Sequence, residues 1–211
     1  MKVDFYYGLG SRYSYLASTQ AARLEQDTGC TLEWLPINSS ALYRARGVSP
    51  FEGAPVSGQY EWSYRERDAT RWADLYRVPF VEPRGRVRFD PELLALAATA
   101  AKRLGAVVPY THVLYAAMFV DSVPEIGREE CVRRAVSVGL SPDAFRRELE
   151  SGVTSAEQSE ILERALSAGV FGVPSFVVDG ELFWGNDRLV LLRHRLSAHG
   201  REPTRTERPA P

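Results

Sequence analysis

The stretch Val3-Asp-Phe-Tyr-Tyr-Gly-Leu-Gly-Ser11 decides the fold. Its β-branched and aromatic residues predict a strand over Val3–Tyr7, and the glycines after them predict a tight turn. Ser11 is suited to cap a helix, which the apolar spacing from Tyr13 to Leu24 predicts. A second strand is predicted over Thr31–Leu35, so the segment reads as a β-α-β unit whose two strands lie parallel.

The C-terminal part of the chain returns to strands. Ser175–Val178 and Glu181–Trp184 flank Asp179-Gly180, which is the strongest short signal of a β-hairpin. A final helix is predicted over Leu189–Leu196. Between the two strand regions, a block of helices is predicted over Tyr60–Tyr76, Asp90–Lys102, Pro109–Val120, Glu129–Val138, Ser141–Glu150 and Thr154–Gly169, the last starting with a Thr154-x-x-Glu157 capping box.

This order of elements predicts an α/β protein with a four-stranded sheet of thioredoxin type and an inserted all-helical domain. We assign residues 1–38 plus 170–200 to the thioredoxin-like domain and 39–169 to the helical insertion. Residues 201–211 have almost nothing to bury and are predicted to be a disordered tail.

Composition narrows the class of function. The 211 residues contain 26 Lys plus Arg and 27 Asp plus Glu, a net charge of −1, which argues against binding nucleic acid or an anionic membrane. No apolar run approaches the ~18 residues of a membrane span, and the N-terminus lacks the apolar stretch of a signal peptide. We therefore expect a cytoplasmic protein that acts on a small molecule.

The two cysteines exclude another class. Cys30 and Cys131 are far apart and form no Cys-x-x-Cys motif, so a dithiol redox centre is excluded and each is expected to be a small buried residue. The histidines are scattered, and we expect no metal ion.

Three segments of the chain contain residues that could carry chemistry. Ser11 is either a plain N-cap, or its hydroxyl points outward at the positive N-terminal end of the helix and helps to bind an anion there. Pro174 is either an ordinary strand-initiating proline or a cis-proline, a form that about 5% of X–Pro bonds adopt, which would leave the backbone of Val173 free to pair with an extended peptide. Asn186 and Asp187 could cap the last helix or hold the zwitterionic end of a small ligand.

Longer motifs carry a family resemblance. Ser11-Arg-Tyr-Ser-Tyr-Leu-Ala, Arg71-Trp-Ala-Asp-Leu-Tyr and Gly169-Val-Phe-Gly-Val-Pro-Ser-Phe, followed by Asp179-Gly-Glu-Leu-Phe-Trp-Gly-Asn-Asp-Arg-Leu189, resemble 2-hydroxychromene-2-carboxylate isomerases. These are glutathione-dependent relatives of kappa-class glutathione transferases in the DsbA-like branch of the thioredoxin superfamily. The resemblance spans about residues 2–198.

The resemblance implies a cofactor and roles for the candidate residues. Glutathione would bind with its sulfur at Ser11, its backbone against Val173 and cis-Pro174, and its γ-glutamyl end at Asn186 and Asp187. The thiolate would add reversibly to a conjugated double bond and leave after rotation, which isomerises an unsaturated, aromatic carboxylic or keto compound. Family members are commonly dimers, and we expect a homodimer. A kappa-class-like transferase and a non-catalytic thiol-binding DsbA-like protein are the alternatives.

The chain departs from the family pattern on the substrate side. Arg12 stands where the family usually has proline, Gly8 where aspartate is common, and Val48 where an asparagine is usual. Arg44 or Arg46 would replace a family lysine in binding the substrate. Among the aromatic residues of the Tyr60–Tyr76 helix, the expected pocket liners are Trp62 and Tyr64. The arginines of Arg84-Gly-Arg-Val-Arg88 are expected to be solvated, or to attract a carboxylated substrate.

Overall fold

A mixed four-stranded sheet forms the centre of the protein, in a computed structural model that describes residues 1–47 and 57–198. The strands of this part of the chain are β1 (Lys2–Tyr7), β2 (Thr31–Pro36), β3 (Arg88–Phe89), β4 (Glu125–Ile126), β5 (Ser175–Val178) and β6 (Glu181–Trp184). The main sheet has the order β2–β1–β5–β6, with β1 parallel to β2 and antiparallel to β5. β6 completes the hairpin, whose turn residues Asp179 and Gly180 both have positive φ.

Helices make up most of the remainder. The described residues form α1 (Arg12–Ser18), α2 (Ala21–Thr28), α3 (Ser39–Ala45), α4 (Trp62–Tyr76), α5 (Pro91–Arg103), α6 (Val107–Phe119), α7 (Arg128–Ser137), α8 (Pro142–Leu149), α9 (Gly152–Ser167) and α10 (Leu189–Ala198). The predicted thioredoxin-like sheet with an inserted helical segment is therefore confirmed. Helix α3 and the short parallel pair of β3 with β4 were not predicted.

Apolar clusters cover both faces of the sheet, and the central strand β1 contributes side chains to both of them. Its alternate residues Val3, Phe5 and Tyr7 face a large apolar cluster, in which the Phe5 ring stacks on Phe176 with a centroid distance of 4.7 Å. Tyr6 faces the opposite way, into a second apolar cluster that helices α3 and α9 help to cover. Both faces of β1 are thus buried, which fixes its register.

Two helix predictions were wrong. The predicted helix from Tyr13 to Leu24 is two helices, because the chain breaks after α1 at Thr19 and Gln20. The predicted capping box at Thr154 is not formed, because α9 already begins at Gly152 with Ser151 as its N-cap. The Thr154 hydroxyl instead donates a hydrogen bond to Glu148, 2.9 Å away.

Some predictions are not tested by the structure. The disordered tail 201–211 and Val48 lie outside the described residues. The division into domains at 38/39 and 169/170 stays a prediction. No helix in the part of the chain described here is long and apolar enough to cross a membrane.

Candidate active site

Ser11 lies in the turn between β1 and α1, where it caps the helix. Its backbone N–H donates to the Gly8 carbonyl at 3.0 Å, which closes the glycine turn. The Ser11 residue has an extended backbone, and its side-chain oxygen accepts the N–H of Ser14 at 3.2 Å. The capping prediction is confirmed, and the hydroxyl is only partly buried.

The loop before β5 lies against Ser11. The Val173–Pro174 peptide bond is cis, and the Ser11 hydroxyl points to the Val173 carbonyl oxygen at a distance of 3.5 Å. This is the long limit of a hydrogen bond, so the hydroxyl proton is weakly held. Gly8 packs closely against this loop, since a Cβ at position 8 would lie 3.0 Å from the Val173 side chain.

A third group of residues follows β6. Asn186 begins a short 3₁₀ turn that packs against α1, and it is 97% buried, with only 3% of its surface exposed. Its carbonyl accepts the Tyr76 hydroxyl at 3.4 Å, yet its side-chain Nδ2 has no hydrogen-bond partner in the described chain. Asp187 is partly exposed and pairs with Arg188 at 2.6 Å. Neither Asn186 nor Asp187 caps this turn, because its N-cap residue is Gly185 and no side chain caps it.

A buried polar network below the glycine turn was missed by the sequence analysis. The Tyr115 hydroxyl on α6 donates to the Gly8 carbonyl at 3.1 Å, which is the oxygen that also accepts Ser11 N–H. The Gly8 N–H donates to Ser14 Oγ at 3.3 Å. Burial raises the pKa of the Tyr115 phenol well above its ordinary value, so Tyr115 stays a donor. The 107 positions between Gly8 and Tyr115 leave no local signal for this contact.

Arg12, which replaces the expected proline, forms a buried ion pair. Its guanidinium contacts both carboxylate oxygens of Glu82, at 3.1 and 3.0 Å, and only 7% of the residue is exposed. Burial lowers the pKa of Arg12, and the Glu82 charge opposes that shift. The Arg12 guanidinium also lies 5.2 Å from the centre of the Trp62 ring. One hydrogen bond, a second ionic contact and an aromatic ring contact together suit a guanidinium better than a lysine ammonium.

The predicted substrate residues are only partly brought together. Trp62 lies beside α1 through its contact with Arg12, whereas Tyr64 is 42% exposed and, two positions further along α4, faces a different side of the helix. Arg44 is exposed on α3. Arg46 donates to the Val170 carbonyl at 3.4 Å. The structure therefore brings Trp62 into contact with Arg12, the residue after Ser11, and gives Arg46 a partner in the loop before β5.

The cysteines lie away from this site. Cys30 and Cys131 are both free and buried, as predicted, and burial raises the pKa of the Cys131 thiol to about 11. Position 14, where a resolving cysteine would stand, is a fully buried serine. No cluster of three or more metal-binding side chains is found in residues 1–47 and 57–198.

A separate cavity of about 350 Å³ lies between β2 and the helices α5 and α9. Its charged walls are already neutralised, since Lys102 and Arg103 both pair with Glu157, and Arg164 pairs with Glu33. This cavity offers no reactive group and is not the candidate site.

Known proteins place the chain in a class and then in a family. Residues 2–197 match the family model of the DSBA-like thioredoxin domain, which is the class that the sheet and the cis-proline loop define. The chain is 30% identical to the 2-hydroxychromene-2-carboxylate isomerase of Sphingobium xenophagum over 203 residues, which cover 92% of this chain and 97% of that protein. The isomerase of that name from Pseudomonas putida is 30% identical over 205 residues, 95% of either chain.

The solved structures agree with the sequence comparison. A structure of a selenomethionine 2-hydroxychromene-2-carboxylate isomerase superposes with a TM-score of 0.82 at 26% identity, covering 95% of this chain and 97% of that one. The chain belongs to the 2-hydroxychromene-2-carboxylate isomerase family. This membership supports an isomerase function.

Proposed function

We propose that the protein is a glutathione-dependent cis–trans isomerase of an unsaturated, aromatic carboxylic or keto compound. The names of its relatives support isomerisation of this kind of substrate. The buried Asn186 amide is the observation that carries the proposal for the cofactor. A buried donor without a partner costs about 1–3 kcal/mol, and a ligand that supplies the missing acceptor recovers that energy.

The residues around Ser11 fit a tripeptide thiol. Val173 presents backbone groups to an extended peptide, Asn186 offers its Nδ2 to a carboxylate, and Asp187 offers a partly exposed carboxylate to an α-amino group. Val173 would hold the cysteinyl backbone of glutathione, and Asn186 and Asp187 would hold its γ-glutamyl end. Such an arrangement would place the sulfur beside the Ser11 hydroxyl.

Bound glutathione would supply a thiolate that adds to a conjugated double bond and leaves again after rotation about the resulting single bond. Ser11 has the role of stabilising that charge. Its oxygen already accepts the Ser14 N–H, so its proton is free to turn from the Val173 carbonyl, 3.5 Å away, towards a sulfur. Each unit by which it lowers the thiol pKa from ~8.5 corresponds to about 1.4 kcal/mol.

Helix α1 would stabilise the thiolate through the N–H groups of its first turn, and its total length would matter little. Because α1 has seven residues, the sulfur would interact with the unsatisfied N–H groups at its start, and helix-dipole effects fall off within one turn. The hydroxyl of Ser11 is therefore the main group that this proposal requires. The segment 8–14 around Ser11 contains no histidine or lysine that could act as a base and make Ser11 a covalent nucleophile.

Replacing Ser11 by alanine tests the proposal. Loss of one hydrogen bond to a charged sulfur should lower kcat by about ten- to a hundredfold and raise the pKa of bound glutathione by about one unit or more. The measurements are the rate of isomerisation of 2-hydroxychromene-2-carboxylate and the ultraviolet absorbance of the bound thiolate against pH. Ser11→Thr keeps the hydroxyl and should retain most activity, and Ser63→Ala on the exposed face of α4 is the control.

Three results would contradict the proposal. Calorimetry that detects no glutathione binding would remove the cofactor. Nuclear magnetic resonance that shows glutathione consumed in step with product would indicate a transferase. A Ser11→Ala variant with unchanged rate and unchanged thiol pKa would indicate a protein that binds thiols without using this hydroxyl.

A further inference from the structure

The Arg84 guanidinium lies over the ring of Trp62, which the guanidinium groups of Arg12 and Arg65 also approach. The carbon of the Arg84 guanidinium is 4.8 Å from the ring centre, which is within the range of a cation–π contact. Trp62 is partly buried, and Arg84 is exposed. A guanidinium that uses its face for an aromatic ring keeps the N–H groups around its edge available for an anion.

Glu82 connects this arginine to the beginning of α1. The same carboxylate oxygen of Glu82 accepts the Arg12 guanidinium and the backbone N–H of Arg84, both at 3.1 Å. Because Arg12 follows Ser11 directly, the position of Arg84 is tied to the residue at which the sulfur would bind. Arg84 is thus held in place by Trp62 on its side chain and by Glu82 on its backbone.

The charge of Arg84 is not neutralised by this arrangement. Glu82 uses both carboxylate oxygens on the Arg12 guanidinium, and the guanidinium of Arg84 has no ion pair within the described chain. Its neighbour Arg88 differs, since Arg88 pairs with Glu125 at 2.9 Å. A fixed guanidinium without a counter-ion is suited to bind a carboxylate through two parallel N–H groups.

We propose that Arg84, supported by Trp62 and by the Arg12–Glu82 pair, binds the carboxylate of a conjugated acid and determines the specificity of the site. The inference rests on the proposed isomerase function and adds the residue that recognises the charge of the substrate. It follows the alternative that the sequence left open for the arginines of Arg84–Arg88, and it differs from the expectation, implied by the family resemblance, that Arg44 or Arg46 binds the substrate.

Binding of trans-cinnamate and of trans-cinnamamide tests this inference without turnover. The two compounds share a conjugated skeleton and differ in charge. The wild-type protein should bind the acid about tenfold or more tightly than the amide in calorimetric titration, and Arg84→Gln should abolish that preference. Arg84→Lys keeps the charge without the planar pair of donors and should retain part of it.

Arg86→Gln is the matched control, because Arg86 is exposed two positions away and is not among the arginines described over the Trp62 ring, which are Arg12, Arg65 and Arg84. Arg86→Gln should keep the preference for the acid. This result would show that the acid binds specifically to the Arg84 guanidinium and is not merely attracted by the positive charge of the loop. Equal binding of acid and amide by the wild type, absence of binding of either, or a preference that survives Arg84→Gln would overturn the inference. A glutathione titration of the wild type and Arg84→Gln separates this result from the proposed function, which fails if the wild type binds no glutathione.

Discussion

The hydroxyl of Tyr115 is linked to Ser11 through the turn between β1 and α1. It donates to the Gly8 carbonyl that also accepts Ser11 N–H, so the two residues share one acceptor. Tyr115 is 1% exposed and cannot exchange this bond for one with water. It is therefore a positioning residue for the proposed thiolate site.

Tyr115→Phe should separate positioning from stability. We expect a loss of about 1 kcal/mol in the free energy of unfolding, a lower kcat, and a higher pKa for bound glutathione, because the turn that holds Ser11 loses one of its fixed contacts. Unfolding in urea and the pH titration of the bound thiolate measure these effects.

Tyr110→Phe is the control for this prediction. The Tyr110 hydroxyl is also buried, but it donates to the Cys131 carbonyl at 3.1 Å, away from Ser11. It should lower stability by a similar amount and leave the thiol pKa unchanged. If both variants change stability alone, Tyr115 has no positioning role.

At the scale of elements, the break between α1 and α2 shows that apolar periodicity does not reveal where side-chain hydrogen bonds to the backbone interrupt a helix. The apolar spacing continues from Tyr13 to Leu24, so it predicts one helix. In the structure, Ser18 and Thr19 turn their hydroxyls back to the carbonyls of Tyr15 and Leu16, each at 2.7 Å. Such bonds compete with the helical pattern, and periodicity does not count them.

The Arg12–Glu82 pair joins α1 to the segment after α4 and gives a second prediction. The side chains are 8% and 11% exposed, so removing one charge leaves the other buried without compensation. Glu82→Gln should lower the free energy of unfolding by about 3 kcal/mol. Glu125→Gln, which breaks an exposed pair with Arg88, should cost less than about 1 kcal/mol.

Chemical denaturation of the two variants measures that difference. The double variant Arg12→Met with Glu82→Met removes both charges, and it should be closer to the wild type than Glu82→Gln alone. Equal stability of the wild type and Glu82→Gln would show that the pair does not hold these elements together.

At the scale of the whole molecule, His112 links the helical segment to the sheet. Its ring on α6 packs edge-on against Trp34 of β2 with a centroid distance of 5.5 Å. Burial lowers its pKa below 6.5, opposed by a hydrogen bond with the backbone of Ser18. The unfolded state therefore binds a proton at a higher pH than the folded state.

The contribution of His112 to stability should accordingly decrease as the pH falls below about 6.5, and this contribution should become constant below the pKa of His112 in the folded state. His112→Gln should flatten this part of the curve of unfolding free energy against pH. His194→Gln, on the exposed face of α10, should leave it unchanged. A curve that is identical in the wild type and His112→Gln would contradict the prediction.

The sequence predicted those features that local chemistry determines. The strand positions, the Asp179-Gly180 hairpin and the capping role of Ser11 follow from residues near one another in the chain. Contacts between residues that are distant in the sequence could not be predicted from local chemistry. Glu82 was missed as the partner of Arg12, since 70 positions separate them and nothing in either segment indicates the other.

The contact between Tyr115 and Gly8 has a consequence for recombining this protein with its relatives. A graft that exchanges the segment from 39 to 169 would bring its own residue to position 115, and with it a new donor or none for the turn before Ser11. The reactivity of such a hybrid should depend on whether residue 115 of the inserted segment donates a hydrogen bond to the Gly8 carbonyl. A segment chosen for exchange should therefore have tyrosine at position 115.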